Sequence, residues 1–588
     1  GFCCLVLSYC LAVGLVGGIW QAVTQPGGLN IPTDWYWAST RVIEGTINEF
    51  PFFTFLYADL HAHLIALPLT MLALGLALTL MTSLGAPMSR LTWQTSRRTE
   101  GHLGADGGPA GQEVVTAKNV AVTWPEVVAL VFLSGLVVGS LAPTNFWDYP
   151  TYLLIVALAV VAPWYVHRPL VWSDLATRVV VIVVIGVLTR LLFWPYHANF
   201  QMFYFGIEAI SDKSSVGDYL IIHGMLLFGV ASFITVGIAR HENCRQVVRL
   251  TGLFLRQWDR FSRLDALLRT RLPGLRENAR VIAYLVLAGM AVLAALALLG
   301  LGLVSLLLAI VAAVAVVGLW SRPSATDAFI LGLIALGAGL GIVCEFVAVK
   351  GDVGRMNTVF RFYLQVWMLW SIVGAVGLYT AVTAFKRSAR RFGHWAWTAV
   401  LVGLLATCLV YPLVGTRARV ADRFDPSIAP TLDGTAYMER AVYRDENHDL
   451  SLASDLAAIR WLQDNVEGSP VILEGRTPLY RWGSRISIYT GLPTVLGWDW
   501  HQKQQRAGYT WLVDQRAGDV SEMYGTLSTQ RTKELLRKYQ VRYVYVGGLE
   551  RAYYPAEGLA KFDKMLNSDL RLVYDHDGVR IYEVLRGG

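Results

Sequence analysis

The chain has 588 residues, of which 54% are hydrophobic and only 16% charged, with a net charge of +7 and a mean hydropathy of +0.45. Such an excess of apolar residues excludes an ordinary soluble protein or a disordered one and marks a polytopic membrane protein, since about 20 apolar residues in a row cross a bilayer. The positive charge sits in connections between apolar runs, so it speaks for membrane orientation and against nucleic-acid binding.

In chain order, the apolar runs predict eleven spans, at 3–20, 62–83, 125–141, 151–166, 178–195, 218–238, 281–301, 303–320, 327–348, 359–384 and 395–414. The chain opens on Gly1 within an apolar run, with neither Met nor a basic leader. This gives the expectation of N-terminal truncation, with an upstream segment missing. Residues 99–117 (TEGHLGADGGPAGQEVVTA) are Gly-rich and poor in apolar residues, and predict a disordered inside linker. The basic loop 239–280 contains ten arginines against four acids between Arg240 and Arg280, and anionic lipid with a membrane potential keeps such loops cytoplasmic. Counting spans outward places 84–124, His167–Arg178 and Lys386–Arg391 on the same side, and 21–61, 142–150, 196–217 and 349–358 outside.

The membrane pattern stops after Pro412. Residues 1–414 therefore read as a multi-span membrane domain and 415–588 as an extracytoplasmic soluble α/β domain, balanced at 23 basic and 23 acidic residues and without cysteine. Within it, Ser454–Asn465 and Gln530–Tyr539 have helical periodicity, Val471-Ile472-Leu473 and Val541–Val546 read as strands, and Asp577-Gly578 marks a closing hairpin. The overall fold class is an α-helical polytopic membrane protein of about 11 spans with a C-terminal α/β domain.

The external connections carry the unusual residues. The first contains Glu49 and ends in Asp59-Leu60-His61-Ala62-His63 at the mouth of a span. Acid and imidazole there must be hydrated or paired, because burying them bare costs several kcal/mol. A helix would point His61 and His63 apart, whereas an extended turn brings them to one side, open to a divalent metal ion, interfacial hydrogen bonding or proton transfer. The second, Pro143–Pro150, holds Asn145, Trp147 and Asp148 in a stiff turn; an interfacial aromatic belt accounts for Trp147 but not for Asp148. In the third, Lys350, Arg355, Asn357, Arg361 and Tyr363 surround the start of a span beside Glu345. Guanidinium groups at a helix N-terminus suit phosphate, the alternative being a snorkelling arginine. The soluble domain adds Trp498, His501 and Arg506 in a loop suited to sugar rings or to packing on the membrane domain, and Glu474 at a strand end.

The runs INEFPFFTFLYADLHAHLIALPL, PTNFWDYP, RMNTVFRFYLQVW and TGLPTVLGWDWHQKQQR resemble, in the same order, those of the Chlor_Arch_YYY family of uncharacterised polytopic membrane proteins. That family is similar in layout to the GT-C superfamily of glycosyltransferases. The resemblance implies transfer of a sugar from a polyprenyl-phosphate carrier at the outer face of a prokaryotic inner membrane, with membrane lipid and a glycan, lipid or protein acceptor as partners and no nucleic acid. In that reading Asp59 is the base or metal contact, with Asp148 and Glu49 as alternatives and His61 and His63 tuning its protonation. Arg355 and Arg361 hold phosphate with Lys350, while Trp498, His501 and Arg506 guide the acceptor. The acidic Glu-Lys segment and tyrosine triplet usual upstream in that family are not in this sequence, which leaves the expectation that the base lies in a missing segment. A transporter or flippase of a lipid-linked glycan and a non-catalytic envelope assembly protein are the competing readings.

Overall fold

The computed structural model describes residues 35–85, 123–166, 171–200, 206–242, 279–321, 323–350, 354–386, 391–506 and 508–585, with a few more between 244 and 252. The first expected span, the linker at 99–117 and most of the arginine-rich loop lie outside the described residues. The chain divides into a membrane unit running to Asp422, apart from the short stretch Phe200–Phe205, and a C-terminal unit from Arg423.

After a short helix α1 (Pro51–Tyr57), the membrane unit is built from α2 (Ala62–Ser83), α3 (Trp124–Thr144), α4 (Asp148–Val166), α5 (Trp172–Leu191), α6 (Val216–Arg240), α7 (Ala279–Leu298), α8 (Gly302–Ser321), α9 (Ala325–Val343), α10 (Met356–Lys386) and α11 (Arg391–Arg423). Ten of the eleven expected spans are thus helices. Among the described residues, eight helices are long and apolar enough to cross a membrane; α5 and α7 are not among them. Polar caps mark several starts: Thr123 and Glu126 form a capping box on α3, and the Ser215 and Ser324 hydroxyls accept from Asp218 N and Asp327 N on α6 and α9. Arg178 on α5 is fully buried because Asp174, Val160 O and Leu84 O accept all its edges, at 2.9, 2.8 and 2.9 Å.

Helices α6 and α10 cross with their backbones in contact. A Cβ at Gly229 would lie 2.5 Å from Gly374 Cα, and one at Gly377 would lie 2.1 Å from Gly229 O. Lipid supplies no hydrophobic drive for helix association, so close approach over small residues is what gains dispersion energy. Tyr363, Trp367 and Trp370 fill the remainder of the α10 face and are fully buried. A two-stranded ribbon, β1 (Ile207–Ala209) with β2 (Val347–Val349), ties the segment before α6 to the segment before α10.

Helix α11 corrects one boundary. The expected span ended at 414, yet the helix continues through Pro412 to Arg423, since an internal proline removes one hydrogen bond and kinks a helix without having to end it.

In the C-terminal unit, β3 (Val442–Asp445) and β4 (His448–Ser451) form a hairpin. Then α12 (Leu452–Asn465), β5 (Val471–Leu473), α13 (Arg485–Thr490), α14 (Asp499–Gln505), α15 (Thr510–Gly525), α16 (Thr529–Lys538), β6 (Val541–Val546), α17 (Gly548–Tyr553), α18 (Ala556–Lys564), β7 (Leu570–His576) and β8 (Val579–Val584) follow. The four-stranded sheet runs β5-β6-β8-β7, with β5 and β6 parallel and the other pairs antiparallel. The β7–β8 turn has φ of 45° at Asp577 and 74° at Gly578, the doubly left-handed geometry that an Asp-Gly pair favours.

The helix crossing is testable. Gly377→Ala is expected to lower the unfolding midpoint of the detergent-solubilised protein, at a cost of ~1–3 kcal/mol for overpacking. Gly403→Ala on α11, where an added Cβ meets nothing within 4 Å, should not lower the midpoint, since alanine is the better helix former.

Candidate functional site

Three segments far apart in sequence meet at one end of the membrane bundle. The first is the turn between α1 and α2. Ala58 terminates α1 in the left-handed region (φ 57°), His61 N–H donates to Asp59 O at 2.7 Å, and His61 is the extended residue (φ −85°, ψ 152°) preceding α2. This non-helical backbone lets the two imidazoles converge: His61 Nδ1 and His63 Nδ1 are 2.8 Å apart. His63 Nε2 lies 3.3 Å from Glu49 Oε2, off the line of a straight hydrogen bond, and Thr54 Oγ1 donates to the same oxygen at 3.3 Å.

The tautomers follow from these partners. A carboxylate only accepts, so the proton of neutral His63 belongs on Nε2, facing Glu49. His63 Nδ1 is then an acceptor, His61 Nδ1 carries the proton between the rings, and the His61 Nε2 lone pair points away from the pair. Glu49 and His63 are largely buried, whereas Asp59 and His61 are exposed. Partial desolvation of the ring lowers the His61 pKa below its ordinary 6.5 and His63 lowers it further, against the pull of Asp59 and Glu49; Arg361 adds to the lowering. A neutral, outward imidazole at neutral pH is the result.

Arg361, on the first turns of α10, belongs to the second segment, and Phe360 beside it packs edge-on against His63 with ring centroids 4.7 Å apart. The Arg361 guanidinium carbon stands 4.5 Å from the ring centre of Trp147, in the third segment. Stacking uses the face of a guanidinium, whose N–H groups lie in its plane as the hydrogen-bonding edge. Gln365 Nε2 donates to Trp147 O at 3.0 Å and holds the loop against α10.

Other expected residues have structural duties instead. Arg355 is a correction: it is buried and paired with buried Glu345 at 3.1 Å, while Ser214 N and Oγ donate to the same carboxylate at 2.8 and 2.7 Å. A guanidinium so enclosed anchors the start of α10 and is not open to phosphate. Asp148 is 7% exposed and accepts from Asn145 Nδ2 at 2.9 Å, in the first turn of α4 where the helix dipole favours an acid. Tyr363 is fully enclosed, edge-on to Tyr219 and His223. Lys350 is exposed and its backbone N–H closes the ribbon on Gly206 O at 3.0 Å. Asn357 is half-buried in the first turn of α10.

Sequence reasoning missed Arg419. From the extended end of α11 it donates to Tyr57 O at 2.8 Å and Tyr36 Oη at 3.0 Å, with Tyr411 Oη on Tyr36 O at 2.9 Å. These bonds hold the turn that carries Asp59 and His61. The one signal was a lone basic pair, Arg417 and Arg419, just past an apolar run.

In the C-terminal unit, Trp498 donates from its indole N–H to Gly483 O at 3.0 Å and its ring centroid lies 5.4 Å from that of His501. Arg506 bonds Gln502 beside a cavity. Glu474 is a second correction: it is buried and accepts from Ile486 N and Ser487 N at 3.0 and 3.2 Å, capping α13 and not facing a ligand. Next to it Arg485 is buried between Asp455 and Glu550, at 2.6 and 3.0 Å. Burial opposes the Arg485 charge, but the two carboxylates hold its pKa well above the usual value.

Among the described residues, no group of three or more His, Cys, Asp or Glu side chains is arranged to hold a metal ion. At the convergence the two imidazole Nδ1 atoms face each other and His63 Nε2 faces Glu49, so the donors do not turn toward a common centre. A divalent ion does not fit this geometry.

Fold and site together define a multi-pass helical membrane protein with an acid–imidazole–guanidinium cluster at one bundle end and an α/β unit at its C-terminus. The chain belongs to the family described as uncharacterized membrane protein DUF2298, which matches residues 4–370. No curated protein matches it significantly. Among solved structures it is similar to the archaeal oligosaccharyltransferase AglB from Archaeoglobus fulgidus, in complex with an inhibitory peptide and a dolichol-phosphate. Identity is 13% with a TM-score of 0.32, covering 99% of this chain and 62% of that one, so the present chain spans about three-fifths of its length.

Burial pushes the Glu474 carboxyl from 4.5 up to about 7, although Arg485 and the two amides favour its charge. Between those values the native state holds a proton that the unfolded chain has released, so stability falls as pH rises from about 4.5 to about 7. Glu474→Gln should flatten that decline, worth about 3 kcal/mol at most, in the protection of the Ile486 and Ser487 amides measured by hydrogen exchange on the intact protein.

Proposed function

We propose that the protein is a membrane glycosyltransferase that takes a sugar from a polyprenyl-phosphate carrier at the outer face of a prokaryotic cell membrane, with the C-terminal unit extracytoplasmic. The observation that carries this reading is the convergence of an outward neutral imidazole, an exposed carboxylate and a guanidinium edge, His61, Asp59 and Arg361, at one end of the bundle. The arginine-rich connections that the sequence assigns to the cytoplasmic side support the sidedness.

In the reaction, the acceptor oxygen bonds to the anomeric carbon of the sugar as the bond from that carbon to the phosphate oxygen breaks. The acceptor proton goes to His61 Nε2. The electron pair leaves on the polyprenyl phosphate, whose charge Arg361 stabilises through its N–H edge. Asp59 and Glu49 stabilise the imidazolium that forms. This gives His61 the role of base that the sequence assigned to Asp59, and makes Asp59 its electrostatic partner.

The test is transfer in proteoliposomes supplied with a panel of polyprenyl-phosphate hexoses. His61→Ala is expected to lower turnover by ~10²-fold or more, the scale of general-base catalysis, with Asp59→Asn causing a smaller loss. Because the base is the neutral ring, the wild-type rate should fall on acidification with an inflection below 6.5. Glu49→Gln removes a charge that raises the His61 pKa, so the inflection should move lower still. Wild-type rates and pH profiles in all three variants would exclude this cluster as the catalytic site.

Arg361→Ala should weaken donor binding more than Arg361→Lys does, since lysine keeps the charge but loses the planar fork. Carrier movement across the bilayer without a new glycosidic bond, abolished by the same substitutions, would identify a flippase instead.

A further inference from the structure

The C-terminal unit contains a cavity that the reaction above does not use. Residue Thr494 continues the sheet through a parallel bridge to Ile472 of β5, and α14 and α15 follow it. A cavity of about 550 Å³ lies among them, with Thr494, Gln502, Arg506, Tyr509 and Arg516 as its polar lining over valine and leucine. That volume is in the ~300–1,000 Å³ range of small-molecule sites.

Its charge is one-sided. Two arginines line it and no acid does. Nearby charges are neutralised elsewhere, Arg476 by Asp499 and Lys503 by Asp514, whereas among the described residues neither Arg506 nor Arg516 has a carboxylate partner. Arg516 is held in place by Val495 O at 2.8 Å and by the Tyr539 ring, 5.2 Å from its guanidinium carbon. Arg506 rests on the Gln502 amide oxygen. Two like charges around one cavity repel each other, and an anion between them relieves that repulsion. Guanidinium forks match the planar oxygens of a carboxylate or phosphate. The Thr494 hydroxyl and Gln502 amide add the neutral donors and acceptors that sugar hydroxyls need, and Tyr509, half exposed, offers a ring face.

We propose that this cavity binds an acidic saccharide, a sugar bearing a carboxylate or a phosphate. Its role as the acceptor subsite rests on the glycosyltransferase reading; the binding itself does not.

The experiment titrates the intact protein in nanodiscs with digalacturonate, with neutral galactobiose, with galactose 1-phosphate and with inorganic phosphate, followed by calorimetry. At least one acidic sugar should bind ~10-fold or more tightly than galactobiose, and Arg506→Gln should remove that advantage while Arg506→Lys loses part of it. Arg506 is exposed, so its variants should melt like the wild type, and Arg516→Lys provides a second variant. Preference for digalacturonate assigns a carboxylate and preference for galactose 1-phosphate assigns a phosphate. Equal affinity for galactobiose, no binding of either acidic sugar, inorganic phosphate binding as tightly as both, or an unchanged Arg506→Gln would each overturn the proposal. If acidic sugars bind but no transfer is found in proteoliposomes, the cavity stands and the transferase reading falls; transfer without such binding has the opposite meaning.

Discussion

Two helix backbones in direct contact set the geometry of the membrane unit. Where α6 meets α10, Gly229 and Gly377 leave no room for any side chain, and this fixes the axial position of a 31-residue helix. Everything at the N-terminal end of α10 inherits that position: the buried Arg355–Glu345 pair, the Phe360 ring against His63, and Arg361 over Trp147. In lipid, where apolar surface gains nothing by being covered, such a crossing is a natural origin for precision. The ribbon of β1 and β2 then stops the helix end from fraying away from it.

The cluster that results is held from several directions by groups that have no part in the proposed chemistry. Arg419 grips the carbonyl of Tyr57, Gln365 grips that of Trp147, and Thr54 bonds the Glu49 carboxylate. Buried supports around an exposed edge are what a preorganised site requires, because the donors and acceptors then need little rearrangement when charge develops. Arg355 shows the other side of this economy: removing one partner of a buried ion pair leaves a bare charge, so its loss would act through α10 as a whole.

Much of this was legible in the sequence. Apolar run length gave the helices, and β-branched residues with an Asp-Gly turn gave β5, β6 and the last hairpin, because those signals are local. Motifs in three connections that the sequence reading placed outside were singled out, and residues from each come together. Partnership was not legible. Arg355, Arg361 and Glu474 all look like ligand residues as a string of letters, yet Arg355 lies against Glu345 and Glu474 caps a helix, contacts decided by packing. The proposed exchange of roles between Asp59 and His61 has the same origin: only the ring-to-ring distance reveals which nitrogen of His61 faces outward. Helix α11 ran past its expected end because a proline is a kink as readily as a stop, and Arg419 came with the extra turns.

The facing Nδ1 atoms of His61 and His63 give the cluster a fixed order of proton donors and acceptors. Reversing its order means relocating two protons together, and the inner terminus, Glu49, is closed in by Thr54 and by the ring of His63. In the proposed reaction, a proton received at the outer nitrogen moves inward only by a double transfer through His63 onto Glu49, so the direct way out is the face through which it arrived. Under the same proposal each cycle ends with that face meeting bulk water again, which ties resetting of the base to departure of the product.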